Sequence, residues 1–144
     1  MMPARLRITL DEFDAMDDRQ FEYALRDLLI RDGFDARQVG RAGDQGADVI
    51  AEHSRLGRLV VQAEHTTVAV RVGSHVMYQV QGTAGPLHRA GIAVVVTNSY
   101  LTRDAKTWGE RHRIHWVDRD RLGQWAHDGV PLHHLLRLPA RRGD

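Results

Sequence analysis

Apolar positions recur along this chain in two rhythms, and the switches between them outline a fold. Over 17–33, Phe21, Leu25, Leu28 and Leu29 fall at helical spacing, Asp17 followed by Gln20 has the form of a capping box, and Gly33 stops the run. Three shorter segments suited to strands follow at 36–39, 47–53 and 58–64, separated by Gly40, Gly43 and Gly46 and then by a turn over 54–57. Connections this short predict an antiparallel meander. Val72, Val76, Met77 and Val80 resume the helical period before Gly85-Pro86, and 92–96 is an unbroken, largely β-branched apolar run, the mark of a strand buried on both faces. Thr102 is placed to cap a helix through Arg111, 114–117 reads as a further short strand, Asp118 caps a helix through His127, and a last turn covers 131–138.

The order helix, three-strand meander, helix, strand, helix, strand, helix predicts an α/β sandwich around a central mixed sheet. The expected organisation is an N-terminal arm over 1–16, one domain over 17–138 and a C-terminal tail over 139–144. Within the arm, 1–9 is basic and irregular, either a short strand or disordered. A length of 144 residues suits a single domain. With no cysteine, the chain has no disulfide framework, Cys-based zinc site or thiol nucleophile, which fits a reducing compartment. The longest apolar run, 92–96, is far short of the roughly 20 residues of a membrane span, and no signal-peptide pattern opens the chain, so a soluble cytoplasmic protein is expected. Net charge is +1, so any attraction to polyanions must come from local clusters.

The hairpin 47–64 carries the candidate chemistry. If its turn is centred on Leu56, cross-strand partners have numbers summing to about 112, which sets Asp48 opposite Glu64, and the period of two puts Gln62 on the same face. Two carboxylates and an amide oxygen at one strand end form the oxygen cluster that hard divalent cations choose, and a cation there suits phosphodiester hydrolysis. An arbitrary pair of strand-end acids is more commonly just solvated. The neighbouring residues favour the metal reading.

Phe21-Glu22, the segment Gly43-Asp44-Gln45-Gly46-Ala47-Asp48-Val49-Ile50, Val60-Val61-Gln62-Ala63, Gln79 with Gly82, and Val96-Thr97-Asn98 followed by Leu101-Thr102 and Ala105 together resemble the Mrr-type restriction endonuclease domain of the PD-(D/E)xK nuclease superfamily. The resemblance spans 17–122. It implies a Mg²⁺- or Mn²⁺-dependent endonuclease acting on double-stranded DNA, in restriction of foreign DNA. It implies that Asp48 is the metal-binding aspartate, Gln62 the glutamine of a Gln-x-Lys element and Glu22 the helix glutamate that partners metal or water. Gln79 would be an accessory residue facing the cleft, and Asp44 a second accessory, although a residue between glycines is commonly a loop former.

At the place of the catalytic lysine stands Glu64. Lysine would stabilise charge developing on the phosphate, which glutamate cannot do. Glu64 either joins the metal cluster or acts as a base, or it silences the enzyme and leaves a DNA-binding module without catalysis. Three like-charged or polar oxygens in one cluster also raise the cost of ionising both acids.

Arg37 and Arg41, Arg71 and His75, and Arg103 and Lys106 are candidates for a phosphate track. Period two points His65 away from Glu64, towards a structural or DNA-facing role. His112 with His115, and His133 with His134, read as surface residues without metal-ligand spacing, and Trp108, Trp116 and Trp125 as packing. Cutting both strands of a duplex favours a homodimer.

Overall fold

The computed structural model describes residues 6–39, 47–84 and 89–140. Its elements run α1 (Leu10–Asp14), α2 (Asp18–Arg31), β1 (Asp35–Gln38), β2 (Val49–His53), β3 (Gly57–Glu64), α3 (Ser74–Ala84), β4 (Ile92–Thr97), α4 (Arg103–His112), β5 (His115–Val117), α5 (Arg119–Ala126) and α6 (Leu132–Leu135). This is the expected order with two additions, α1 and, within the expected last turn over 131–138, α6. The short helix α1 was not anticipated, yet its signal is in the sequence: Thr9 and Glu12 form a capping box, with the Glu12 amide donating to Thr9 Oγ1 at 3.1 Å and the Thr9 amide to Glu12 Oε1 at 2.8 Å. The anticipated box on α2 is present, the Gln20 amide donating to Asp17 Oδ1 at 2.7 Å and the Asp17 amide to Gln20 Oε1 at 2.9 Å. Thr102 and Asp118 cap α4 and α5 as their positions suggested.

The sheet has five strands in the order β1-β2-β3-β4-β5. β1, β2 and β3 pair antiparallel, and β3, β4 and β5 pair parallel. Helices cover both faces, as parallel pairing requires. Val49, Ala51, Leu59, Val61, Val94 and Val96 point into a core shared with α1, α2, α5 and α6, whereas Ile50, Val60, Ala93 and Val95 pack against Val76, Met77 and Val80 of α3 and Ala105 of α4. Ile8 and Phe13, ahead of α2, belong to the first of these cores. α4 lies so close to the sheet that a Cβ on Gly109 would meet the Ile114 carbonyl oxygen at 2.9 Å. Among the described residues no helix is long and apolar enough to cross a membrane.

A buried ion pair ties the last helices to α2. Arg31 and Asp32 have side chains 3% and 2% exposed. The Arg31 guanidinium donates to Asp32 Oδ1 at 2.9 Å and to the Leu6 and Trp125 carbonyls at 3.2 and 2.9 Å. Asp32 Oδ2 also accepts from Trp125 Nε1 at 2.7 Å and from the Leu132 amide at 2.8 Å. One carboxylate thus satisfies donors from three separate segments. Replacing Asp32 by Ala leaves the guanidinium buried without its anion, and we expect a loss of about 3 to 5 kcal/mol in urea unfolding.

Candidate functional site

The hairpin register differs from the one expected. His53 pairs with Gly57, Ala51 with Leu59 and Val49 with Val61, so partners sum to 110 and the turn is centred on Arg55. Two local facts set this. Gly57 adopts φ 90°, which lets the chain re-enter the sheet one residue earlier, and Leu56 packs against the α2-side core instead of sitting at a turn apex. Asp48 therefore does not face Glu64. Continued by one residue, the register faces Asp48 with Gln62 and leaves Glu64 on the diagonal, where Cα separations are roughly 7 to 8 Å. A shift of two keeps parity, so Gln62 and Glu64 still follow Val60 on the α3 face.

Regular pairing stops at Val49. The Asp48 amide donates to the Val61 carbonyl at 2.8 Å, and the Ala63 amide donates at 2.7 Å to Asp48 Oδ2. Asp48 is 6% exposed, and this backbone bond anchors its carboxylate against β3. Burial raises the carboxyl of Glu64 above its ordinary value; a hydrogen bond from the Gln62 side chain and the charge of His75 pull it down by less, and the charge of Asp18 adds to the rise. With its amide nitrogen donating to Glu64, Gln62 is left with a buried Oε1 that has no hydrogen-bond partner. An unpaired buried carbonyl oxygen is costly, and here it sits beside two carboxyl groups. Among the described residues no group of three or more His, Cys, Asp or Glu side chains could hold a metal ion.

This hairpin lies inside a segment, 13–126, that matches the family model for the restriction endonuclease catalytic domain, Mrr_cat. The chain belongs to this restriction endonuclease family. The fold is similar to solved structures of AF1548, a protein of unknown function, with 17% identity, TM-score 0.66, 82% of this chain and 66% of that one covered. It is also similar to MspJI restriction endonuclease in complex with a 27-mer oligonucleotide, with 18% identity, TM-score 0.56, 88% of this chain and 32% of that one covered. A third is the DNA modification-dependent restriction endonuclease AspBHI, with 18% identity, TM-score 0.57 and coverage of 95% and 40%. The chain spans less than two thirds of the length of each of these structures. No curated protein matches the sequence.

Around the endonuclease-family hairpin, the other expected residues take varied positions. Glu22 on α2 accepts a hydrogen bond from Gln38 Nε2 of β1 at 2.7 Å. Gln79 is on the exposed side of α3, four residues after His75 and so on the same helical face as the group whose charge reaches Glu64. Arg71 is exposed, its guanidinium 5.6 Å from the Tyr100 ring. Asp44 and Arg41 lie outside the described residues. His65 turns inward: its side chain is 12% exposed, its Nε2 is 2.8 Å from the Phe13 carbonyl and its ring is 5.1 Å from Phe21. That is the structural side of its two expected roles.

Two expectations about histidines need correction. His133 is half-buried against His53 and Phe34, with ring centroids 5.5 and 5.9 Å away, and burial lowers the pKa of both His133 and His115. Both are half-buried and not free surface residues, His133 because α6 folds back over the α2-side core and His115 because it sits within the sheet's edge strand. The tryptophans do serve packing, Trp125 fully buried and Trp108 and Trp116 against the α3-side core.

The residue that sequence reasoning underused is Asn98. It is 1% exposed, and its side chain clasps the backbone just beyond Glu64, accepting from the Thr66 amide at 3.0 Å and donating to the Thr66 carbonyl at 2.8 Å. It also donates to Asp14 Oδ1 at 3.0 Å, and Asp14 is gripped by both terminal nitrogens of Arg119 at 2.9 Å, which hold its carboxyl below the usual range. The available signal was a polar Thr97-Asn98-Ser99 triplet directly after a strand buried on both faces.

Because the folded state raises the pKa of Glu64, its contribution is best below the unfolded value of 4.5 and is lost as pH rises through the folded value. Glu64→Gln should therefore melt higher than wild type at pH 8, and the gain should shrink towards zero near pH 4, as read by thermal unfolding across a pH series.

Proposed function

We propose that this domain is a metal-dependent DNA endonuclease, hydrolysing phosphodiester bonds in duplex DNA with Asp48, Gln62 and Glu64 as its cation-holding set. The observation that carries the proposal is the buried, unpartnered Gln62 Oε1 beside the anchored carboxylate of Asp48. An all-oxygen set of this kind fits Mg²⁺ or Mn²⁺. When bound, such a cation supplies charge to polarise the phosphate and lowers the pKa of the attacking water. The chain's own residues supply orientation and proton handling. The Ala63 amide fixes Asp48, and the Gln62 amide nitrogen steers the Glu64 carboxyl. The Glu64 carboxylate would accept a proton where the family's lysine would stabilise charge. Glu22 and Gln79 would serve as accessory groups, and restriction of foreign DNA by a two-fold dimer is the context that would let the site act on both strands.

A second reading is favoured by one observation. Glu64 places a carboxyl group where the family resemblance expects a lysine, and a carboxylate there opposes the charge that builds on phosphate. On that reading the chain binds DNA without cutting it.

Plasmid nicking in Mg²⁺ or Mn²⁺ separates them. Wild type should cut, chelation should abolish cutting, and Asp48→Ala should lower the rate roughly 100-fold or more. Cutting by Glu64→Lys alone would establish the silent reading, and absence of both cutting and salt-dependent DNA binding in all versions would end the nuclease proposal.

A further inference from the structure

At the end of the sheet where β3, β4 and β5 begin, two clefts of about 910 and 700 Å³ adjoin, sharing Arg113, His115 and Pro139. Arg58 lines the first of them, and six steps along the strand at about 3.3 Å each separate it from Glu64, so these clefts lie about 20 Å from the candidate site. Their lining is net basic, with Arg58, Arg89, Arg113, Arg121 and Arg137 against Glu52 and Glu110. Among the described residues the non-glycine positions with left-handed backbone are Arg89, Arg113 and Arg137, at φ 53°, 59° and 54°. Arg89 lines the first cleft, Arg137 the second and Arg113 both.

A Cβ is crowded in this conformation, and glycine or asparagine is the usual occupant. Arg113 is the clearest case, because it terminates α4 at a position where glycine normally closes a helix. Local folding would favour glycine at each of the three positions, yet each carries a guanidinium. Backbone outliers of this kind gather where function compensates for them. Among the described residues none of the three has a carboxylate partner, whereas Arg58 pairs with Glu52 and Arg121 is held by the Trp116 carbonyl and ring.

We propose that these clefts are a second polyanion site, which holds the phosphate backbone of duplex DNA through Arg89, Arg113 and Arg137. Guanidinium suits phosphate because its planar fork donates in pairs. Three exposed cations spread over two joined clefts match a run of successive phosphates better than a single phosphate, which would call for convergent donors. The site requires DNA as a partner but does not require that Glu64 permit cleavage.

The test is fluorescence anisotropy of a labelled duplex in chelating buffer across a salt series, with wild type and the triple variant Arg89→Gly, Arg113→Gly, Arg137→Gly. Glycine removes the charge and relieves the left-handed backbone, so the variant should melt at the same temperature as wild type or higher. Its binding should weaken, and the slope of log K against log salt should become shallower by roughly 2 to 3. Arg113→Gly alone should lose about one unit of slope, which keeps the proposal testable should the triple variant fold poorly. The matching Arg→Lys triple should keep the slope.

Unchanged slope and affinity in the glycine variants would overturn the proposal. So would a result in which inorganic pyrophosphate binds wild type in an arginine-dependent manner while duplex binding is unaffected, because the clefts would then serve a small polyphosphate. Arginine-dependent duplex binding by a protein that cuts nothing supports this site and overturns only the cleavage reading.

Discussion

The central strand β3 is the constraint on which the rest of the molecule depends. It is hydrogen-bonded to β2 on one edge and β4 on the other, and from Leu59 to Val61 it is buried on both faces. Its backbone groups are therefore satisfied by neighbours, until β2 runs out before β3 does. At that point the Ala63 amide is taken by the Asp48 carboxylate at 2.7 Å. The same bond ends the strand pairing and fixes the Asp48 carboxylate, so strand pairing and the geometry of the candidate site cannot be varied independently. Gln62 and Glu64 then emerge where the helical cover thins and the strand becomes partly exposed.

This placement makes the site electrostatically expensive. Burial pushes the Glu64 carboxyl up, and the Gln62 amide that relieves it does so by spending its donor and leaving Oε1 without a partner. An arrangement with one acid anchored, one acid reluctant to ionise and one orphaned oxygen costs stability in the bare protein. Natural proteins accept such costs at functional sites, where a ligand returns them on binding. Beyond Glu64 the chain is gripped by Asn98 and through it by Asp14 and Arg119. The strand end is thus tied down by side-chain hydrogen bonds although it is only half-buried. The charge distribution follows a similar logic, since a net charge of +1 conceals an acidic end and an arginine-lined end of one sheet.

What the sequence by itself determined was the order of elements and the family. Helices α2, α4 and α5 could be read from Asp17 with Gln20, Thr102 and Asp118, and β4 from its run of β-branched residues, because capping and periodicity act over a few residues. The family rests on motifs in order, which need no geometry, and α1 was equally legible in Thr9 and Glu12. Only the tertiary structure decided the hairpin register, the inward turn of His65, the clasp of Asn98 and the gathering of Arg89, Arg113 and Arg137 around adjoining clefts. Each of these joins residues distant in sequence, Asp48 and Ala63 by 15 positions and Asp14 and Arg119 by 105. Such pairings are settled by which side chains gain burial together: Leu56 packing into the core and Gly57 turning with a positive φ moved the register by one residue per strand, and no local pattern encodes that competition.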